Sequence, residues 1–436
     1  MRNLIVFLLA AVFSQASAGA VEEYLFCFPP NFREAGPTDV SDRNGKLDCS
    51  VSIGTVSKAN IRIRIPALSF DTAFAVNERS SARVQLPETV IPKKTGLSSN
   101  SIVITSDVPI GVTAKSHRFQ ATETYAVHPA SRLGRSYVIS SYSKLAQDLM
   151  GLFSIIGTTD GTMIHVRGPQ NCAAWDRTLA DGIDIRLDRG QVWTYVAPFS
   201  KTEPADPTGT LITSTQPVSI ISGHSCAYVP VKWCACNPLY EQLLPISTFG
   251  ATTFVPPLYG RAGSNVRVMA TAQASKVVIN GNITETIPEQ GFSELSRDVN
   301  EPLELRADSP VQVALFGRGF TSIDSTGDPC MIMIPSTDQY AREQLVTTIS
   351  EPNWNQYVTI ICPPGHSSEV LINGTIIPVS TFTTHASGFR FACVLSAPGS
   401  HIITSEKPVG LFVHGIGTGM NVYDAYGTGG SMIIKK

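Results

Sequence analysis

The chain has 436 residues, a formal net charge of −2 and no basic stripe, which argues against nucleic acid as a partner and against a polybasic membrane anchor. Hydrophobic residues make up 43% and charged residues only 16%, so the composition excludes an intrinsically disordered chain. The length allows roughly two to four domains with buried cores.

The N-terminus has the pattern of a secretory signal peptide over residues 1–20. Arg2 supplies the positive charge, residues 4–13 are apolar, and Ala16-Ser17-Ala18 is a small-x-small cleavage motif. No later run reaches the ~18 apolar residues that a membrane helix needs, so we expect no membrane insertion. We therefore predict a secreted, extracellular protein, in a compartment where disulfides persist.

One sequence phrase recurs four times along the chain. It reads SIVITSDVPIGV, TLITSTQPVSI, LELRADSPVQV and HIITSEKPVGL. Apolar residues alternate with small or polar ones, which is typical of half-buried strands, and a polar turn ending in proline interrupts each run. Each phrase predicts a strand, a kink or tight turn, and a second strand around Pro109, Pro217, Pro310 or Pro408.

The spacing of this phrase predicts an all-β fold of about four tandem β-sandwich-like modules, each of roughly 100 residues. The predicted spans are 21–128, 129–246 with a cysteine-rich loop, 247–350 and 351–436. A propeller-like β ring is the alternative, although a blade of about 40 to 45 residues is shorter than this period.

Two Asn-Gly pairs, at Asn280 and Asn373, predict tight hairpins because a type I′ turn needs two positive φ angles. An N-glycosylation sequon overlaps or adjoins each of these pairs, Asn282-Ile283-Thr284 beside the first and Asn373-Gly374-Thr375 at the second. We therefore expect glycan acceptors at Asn282 and Asn373 if they lie on surface turns.

The run GHSCAYVPVKWCACNPLYEQLLP places Cys226, Cys234 and Cys236 close together, with His224 just before them. A zinc site needs a fuller set of ligands, and a catalytic thiol needs a paired histidine and a lowered pKa. In an oxidising compartment, structural disulfides are the simpler interpretation. Cys226 is predicted to bond to Cys234 or Cys236, and Cys172 is a candidate partner for the cysteine left over.

The other cysteines allow further pairs, because there are nine in all. Cys362 and Cys393 lie on apolar segments that predict neighbouring strands or facing sheets, and Cys27 and Cys49 flank a polar loop that they could close. Cys330 is the candidate for the unpaired thiol. Sequence spacing alone does not fix the connectivity.

The patterns of common hydrolases are missing: there is no Gly-x-Ser-x-Gly, no His-Glu-x-x-His and no Walker loop. We therefore expect neither a cofactor nor a metal, and we interpret the chain as a non-enzyme. The cysteine-rich loop carries aromatic and charged residues suited to anchoring an interface, and they are Tyr228, Lys232, Trp233, Tyr240 and Glu241. The alternative is that Trp233 and Tyr240 only cover the disulfides.

Residues 206–261 resemble the N-terminal domain of the IgG Fc-binding protein family. The resemblance lies in the Ser-Gly-His order, the adjacent cysteine, the downstream cysteine with its acidic-Gln pair, and a Pro-rich strand ending in Gly-Arg. The segments FSIIGTTDGT, GDPCMIMIP and DQY fit the same family, and the resemblance covers most of the mature chain.

The resemblance implies a secreted protein associated with mucus or matrix. The large vertebrate members continue into von Willebrand factor type D modules, whereas we expect this chain to be a stand-alone domain. Because the Fc partner belongs to animals with immunoglobulins, the sequence does not itself predict immunoglobulin Fc as the partner.

We therefore predict a non-catalytic binding or scaffolding protein that engages extracellular glycoproteins, mucus or microbial surfaces, as in mucosal or innate defence. Two alternatives remain. A secreted hydrolase would need two carboxylates about 5 to 10 Å apart at a module junction, and a purely structural matrix component would form disulfides between chains.

Overall fold

The structure is a computed structural model that describes residues 21–30, 47–91, 96–118, 120–143, 149, 151–198, 205–231, 233–261, 263–297, 301–320, 327–349, 353–419, 424–430 and 432–435. The predicted signal peptide lies outside the described residues. No helix in the described part of the chain is long and apolar enough to cross a membrane.

Regular structure in the described residues is nearly all β-strand, which confirms the all-β prediction. Up to residue 128 the strands are β1 (Glu22–Phe26), β2 (Asp48–Thr55), β3 (Ala59–Ile65), β4 (Phe70–Val76), β5 (Ser81–Gln85), β6 (Gly96–Ser98), β7 (Ile102–Ser106), β8 (Ile110–Arg118) and β9 (Ala121–Val127). Up to residue 246 they are β10 (Gly134–Val138), β11 (Gly151–Gly157), β12 (Thr162–Arg167), β13 (Ile183–Leu187), β14 (Val192–Val196), β15 (Leu211–Ala227) and β16 (Asn237–Gln242), with one short helix, α1 (Arg177–Asp181).

The second half of the chain is also built mainly of strands. Up to residue 350 its strands are β17 (Gly250–Val255), β18 (Ser264–Ala270), β19 (Ser275–Ile279), β20 (Ile283–Ile287), β21 (Phe292–Arg297), β22 (Leu303–Gly317), β23 (Cys330–Ile334) and β24 (Ala341–Thr347). The last strands are β25 (Trp354–Cys362), β26 (Val370–Ile372), β27 (Thr375–Ile376), β28 (Thr383–Thr384), β29 (Arg390–Ser396), β30 (Ser400–Gly417), β31 (Ala425–Thr428) and β32 (Met432–Lys435). Short 3₁₀ turns lie at Pro66–Leu68, Glu88–Val90, Ala130–Arg132, Cys172–Ala174, Ile246–Thr248, Thr337–Gln339 and Val379–Thr381.

The repeated phrase forms the long strands of the fold. Around Pro109 it is split into β7 and β8, whereas β15, β22 and β30 run continuously through their prolines. Each of these long strands pairs with a neighbour whose register shifts beside the proline. The neighbours are β10 for β15, β17 for β22 and β24 for β30. A proline cannot donate to a ladder, so the strand bends at that point and changes partners.

The same strand order recurs around each long strand. It reads β13-β12-β15-β11-β14, then β20-β19-β22-β18-β21, then β27-β26-β30-β25-β29. The N-terminal part has β4-β3-β7 in one sheet and β8-β2-β5 in another, which is this order broken at Pro109. The recurrence supports four modules, although their number and boundaries stay a prediction. One strand crosses the proposed boundary at 350, because β24 pairs with β30.

The hydrophobic cores are shared between neighbouring parts of the chain. The N-terminal core includes Leu152, Ile156 and Tyr240 from beyond residue 128. The core around β22 likewise includes Ile361 and Phe412. The predicted modules therefore share hydrophobic core residues with their neighbours instead of each having a core of its own.

Four strands meet where these parts come together, and we call β9, β16, β23 and β31 the central junction. The Asn237 side-chain amide donates to the backbone carbonyls of Thr122, Pro329 and Ala425, at 2.8, 2.8 and 2.9 Å. Each carbonyl belongs to, or directly precedes, a different strand of the junction. One buried amide thus links segments that are far apart in the sequence.

Candidate binding surface

The cysteine-rich loop is closed by a disulfide between Cys226 and Cys236, whose Cα atoms lie 5.1 Å apart. The sequence left Cys234 and Cys236 as alternatives, and the structure pairs Cys226 with Cys236. His224 is buried, and its Nδ1 accepts the backbone N–H of Cys226 at 3.1 Å. This geometry serves a structural loop, and no group of His, Cys, Asp or Glu suited to holding a metal occurs among the described residues.

Two of the suggested cysteine partners are separated in the fold. The Cys172 thiol donates to the Asp176 carbonyl within its own turn, at 3.3 Å, and burial raises its pKa to about 12. Cys234 is exposed and lies beside Phe320. The structure therefore does not join Cys172 to Cys234, because the Cys172 side chain points into the core around β12 and α1.

Cys362 and Cys393 lie on the paired strands β25 and β29, as expected, but they do not face each other. Cys393 is opposite Thr359, whereas Cys362 is opposite Arg390. Side chains alternate between the two faces of a strand, so an offset of three residues places the two thiols on opposite faces. A direct bond between them does not fit this register.

The remaining cysteines are buried. Cys27 and Cys49 both lie in the N-terminal core, and their pairing stays a prediction. Cys330 lies in β23, where burial raises the pKa of its thiol to about 12. Of the nine cysteines, Cys234 is the exposed one.

The predicted interface residues do not form one surface. Tyr228 and Trp233 are half-buried, and the Arg318 guanidinium lies 5.3 Å from the Trp233 ring centre. Lys232 lies outside the described residues. Tyr240 and Glu241 are 0% and 2% exposed, so assigning them to a surface was wrong.

The reason is that Tyr240 and Glu241 lie on β16, inside the central junction. The Tyr240 hydroxyl donates to the Pro30 carbonyl at 2.6 Å. Glu241 Oε1 accepts the backbone N–H groups of Met333, at 3.1 Å, and Gly429, at 2.6 Å. Burial raises the pKa of Glu241 to about 8.

A second buried acidic side chain, Glu123 on β9, also accepts backbone N–H groups in the central junction. Its Oε1 accepts the N–H groups of Thr124 and Gly427, and its Oε2 accepts that of Met331 at 3.2 Å. Burial raises the pKa of Glu123 well above its usual value, and the nearby Glu241 raises it further. The two carboxyl groups therefore accept backbone N–H groups from β23 and from the segment of β31 and Gly429.

A hydrolase at a module junction would need two acidic side chains, and Glu123 and Glu241 are both in the central junction, but their surroundings suit a structural role. Both side chains are buried and bonded to backbone N–H groups. The adjacent cavity, lined in part by His128, Gln312 and Gln344, has a volume of about 50 Å³. Such a space holds a few water molecules but no sugar ring or peptide residue.

A larger cleft opens at the surface between the β26–β27 hairpin and β29. Its volume is about 390 Å³, within the range of sites that bind ligands. The walls are largely apolar, with Ile376 and Leu395 at 49% and 63% exposure. Asn373 and His401 supply polar groups at one side. We call this region the β27 cleft.

Sequence reasoning missed the β27 cleft, although part of its signal was present. The apolar run Ile376-Ile377-Pro378 comes just after a predicted Asn-Gly turn. An exposed hairpin end usually carries polar residues, so an apolar run there indicates a surface that contacts something else. Leu395 comes from β29, distant in sequence, so no local pattern pairs the two walls. The two predicted glycan acceptors, Asn282 and Asn373, both lie in exposed turns, and Asn373 borders the cleft.

Comparison with known proteins gives two matches. A family model described as IgGFc binding protein matches residues 123–415. The human protein named IgGFc-binding protein is 24% identical over 397 residues, which cover 89% of this chain but only 7% of that protein. The family model covers more than half of the chain and agrees with the resemblance seen in the sequence, so the chain belongs to the IgGFc binding protein family.

Proposed function

We propose that this protein is a secreted, non-catalytic binding protein that engages an extracellular glycoprotein through the β27 cleft. The observation that carries the proposal is the cleft itself, an apolar opening of about 390 Å³ bordered by exposed Ile376 and Leu395. Exposed apolar residues that cluster around an opening mark interaction sites more often than single exposed ones do.

The expected occupant is an extended polypeptide segment of the partner. β27 ends its sheet, since the strand order begins at β27 and continues to β26. An edge strand offers unpaired backbone donors and acceptors to an added strand, while an adjacent pocket receives alternate side chains. The half-exposed Ile376 lies on β27 and lines the cleft, so both elements of this recognition mode lie side by side.

Export is supported by two features. Residues 1–20 have the pattern of a signal peptide. The Cys226–Cys236 disulfide is of the kind that persists in oxidising compartments. The human relative is named for binding an IgG Fc fragment, which is an extracellular glycoprotein. For this chain we propose the same broad class of partner, with mucins and other mucus glycoproteins within it.

The test is a binding measurement with defined probes. A purified gel-forming mucin and an IgG Fc fragment are immobilised separately, and the secreted protein is passed over each in a biolayer interferometer. We expect saturable binding to at least one probe with a Kd of about 10 µM or tighter, roughly −7 kcal/mol.

Leu395→Asp serves as the cleft variant, because Leu395 is 63% exposed and its replacement leaves the core intact. We expect this variant to lose at least tenfold in affinity. The absence of wild-type binding to either probe, or equal binding by Leu395→Asp, would contradict the proposal.

A further inference from the structure

Two Asn-Gly turns in the fold have similar backbone angles but different register, since Ile279 is opposite Ile283 whereas Ile372 is opposite Thr375. Comparing them separates the two glycosylation sequons. Asn280-Gly281 joins β19 to β20, and Asn373-Gly374 joins β26 to β27. All four residues have positive φ, at 48°, 73°, 52° and 82°. Both hairpins lie at the edge of their sheets.

The first asparagine of each turn completes the hydrogen bonding of the neighbouring long strand. The Asn280 backbone N–H donates to the Glu304 carbonyl at 2.9 Å, and its Oδ1 accepts the Glu304 N–H at 2.8 Å. Asn373 repeats this with Ile402, at 2.8 and 2.9 Å. Asn280 does this without belonging to a sequon, so the side chain of Asn373 has a structural reason to be asparagine.

The amide nitrogen of Asn373 is also engaged. Its Nδ2 lies 3.3 Å from His401 Nδ1, while His401 Nε2 lies 2.8 Å from the Ala397 carbonyl. His401 is buried at 5% exposure. With Nε2 donating to that carbonyl, Nδ1 is left to accept the amide proton of Asn373. A sugar on this nitrogen would disturb the contact and stand over the β27 cleft.

Asn282 is in the opposite situation. It follows the turn glycine, and its side chain is exposed and has no hydrogen-bond partner among the described residues. A side chain added at Gly281 or at Gly374 would meet nothing within 4 Å, so both turn tips are open to solvent and the two sites differ in the contacts of the asparagine side chain. The next residue, Ile283, is an isoleucine with 56% exposure on the edge strand β20.

We infer that Asn282 is the N-glycosylated residue of this protein and that Asn373 stays unmodified; the inference rests on the proposed export. In the transfer, Asn282 Nδ2 attacks C1 of a lipid-pyrophosphate-linked oligosaccharide, presented by a membrane-bound transferase. The Nδ2–C1 bond forms, the C1–O bond breaks, the lipid pyrophosphate leaves with the electron pair, and the amide gives up one proton to a base and from there to solvent.

The two outcomes have different consequences for the surface. A glycan on Asn282 covers the edge strand β20 beside the exposed Ile283, and a covered edge does not pair with another chain. An unmodified Asn373 keeps the equivalent edge, β27, and its cleft open for the partner. One hairpin is protected and the other is available.

The experiment uses the full chain expressed in a eukaryotic secretory cell line and, in parallel, residues 21–436 behind a leader of known export activity. Purified material is deglycosylated enzymatically in heavy-oxygen water, which labels each formerly occupied asparagine, and is then digested. A sample kept in the same water without the enzyme gives the label that Asn373-Gly374 gains by spontaneous deamidation. The matched variants are Thr284→Ala and Thr375→Ala, which destroy one sequon each and leave both asparagines in place. Both threonines are exposed, so folding is preserved.

We expect label on Asn282 in most molecules, none on Asn373, loss of the glycan mass in Thr284→Ala, and an unchanged mass in Thr375→Ala. Label on Asn373 above that of the enzyme-free sample, or an unlabelled Asn282 in the chain carrying the foreign leader, would overturn the inference. Retention of the chain with its own leader inside the cell would contradict the proposed export alone, because the second chain still passes the transferase.

Discussion

We predict that Glu241 makes the stability of this protein depend on pH. Its carboxyl group lies in the central junction, where burial raises its pKa from 4.5 to about 8. The folded state therefore binds a proton that the unfolded state releases near its ordinary pKa. Stability from this group is fully present below pH 4.5 and is lost as the pH rises through 8.

The size of the effect follows from the two pKa values. Between pH 5 and pH 9 the group lowers the free energy of unfolding by on the order of 4 kcal/mol, at about 1.36 kcal/mol for each pKa unit. Glu241→Gln removes the titration and keeps the structure, because Oε1 alone accepts both the Met333 and Gly429 N–H groups. We expect the variant to match the wild type near pH 5 and to be more stable by several kcal/mol at pH 9.

The assay is urea unfolding followed by tryptophan fluorescence at pH 5, 7 and 9. Glu123→Gln is the matched control, since Glu123 accepts through both oxygens and an amide nitrogen cannot accept the Met331 N–H. This control should be destabilised by about 2 kcal/mol already at pH 5. A wild-type minus Glu241→Gln difference that stays constant from pH 5 to pH 9 would refute the reasoning.

Three further changes probe the fold. Asn237→Ala removes the donor shared by three backbone carbonyls and should lower the free energy of unfolding by about 3 kcal/mol in urea titrations; a loss below ~1 kcal/mol would argue against the link. Replacing Cys226 and Cys236 together by alanine opens a ten-residue separation and should cost about 3 kcal/mol, and an unchanged melting temperature would mean that the bond contributes little. Gly223→Ala should yield little soluble protein, since its Cβ would lie 1.6 Å from the Leu239 carbonyl oxygen; normal expression and melting would count against the packing described.

The local parts of the fold were predictable from the sequence. Alternating Ile, Val and Leu identified the long strands, and the Asn-Gly pairs at Asn280 and Asn373 identified two hairpins. Both signals work because they reflect constraints within a few residues: the two faces of a strand and the positive φ angles of a turn. The disulfide of Cys226 was also predictable from local sequence, because its partner was one of two nearby cysteines.

Long-range packing was not predictable in the same way. Tyr240 and Glu241 have the composition of an interface, and only the position of β16 between β9 and β23 shows that they are buried. The thiols of Cys362 and Cys393 were placed on neighbouring strands correctly, but the register between β25 and β29 separates them by face. The β27 cleft likewise depends on two hairpins that meet only in the folded chain.

The most direct test of the central claim compares two exposed isoleucines on edge strands in the binding assay with immobilised mucin and Fc fragment. Ile376 lines the β27 cleft at 49% exposure, and Ile283 lies on the edge strand β20 of another sheet at 56% exposure. Because both are exposed, aspartate at either position should leave the melting temperature nearly unchanged. We predict that Ile376→Asp weakens binding at least tenfold and that Ile283→Asp binds like the wild type. Equal effects of the two variants, or no effect of Ile376→Asp, would contradict the assignment of the β27 cleft as the binding site.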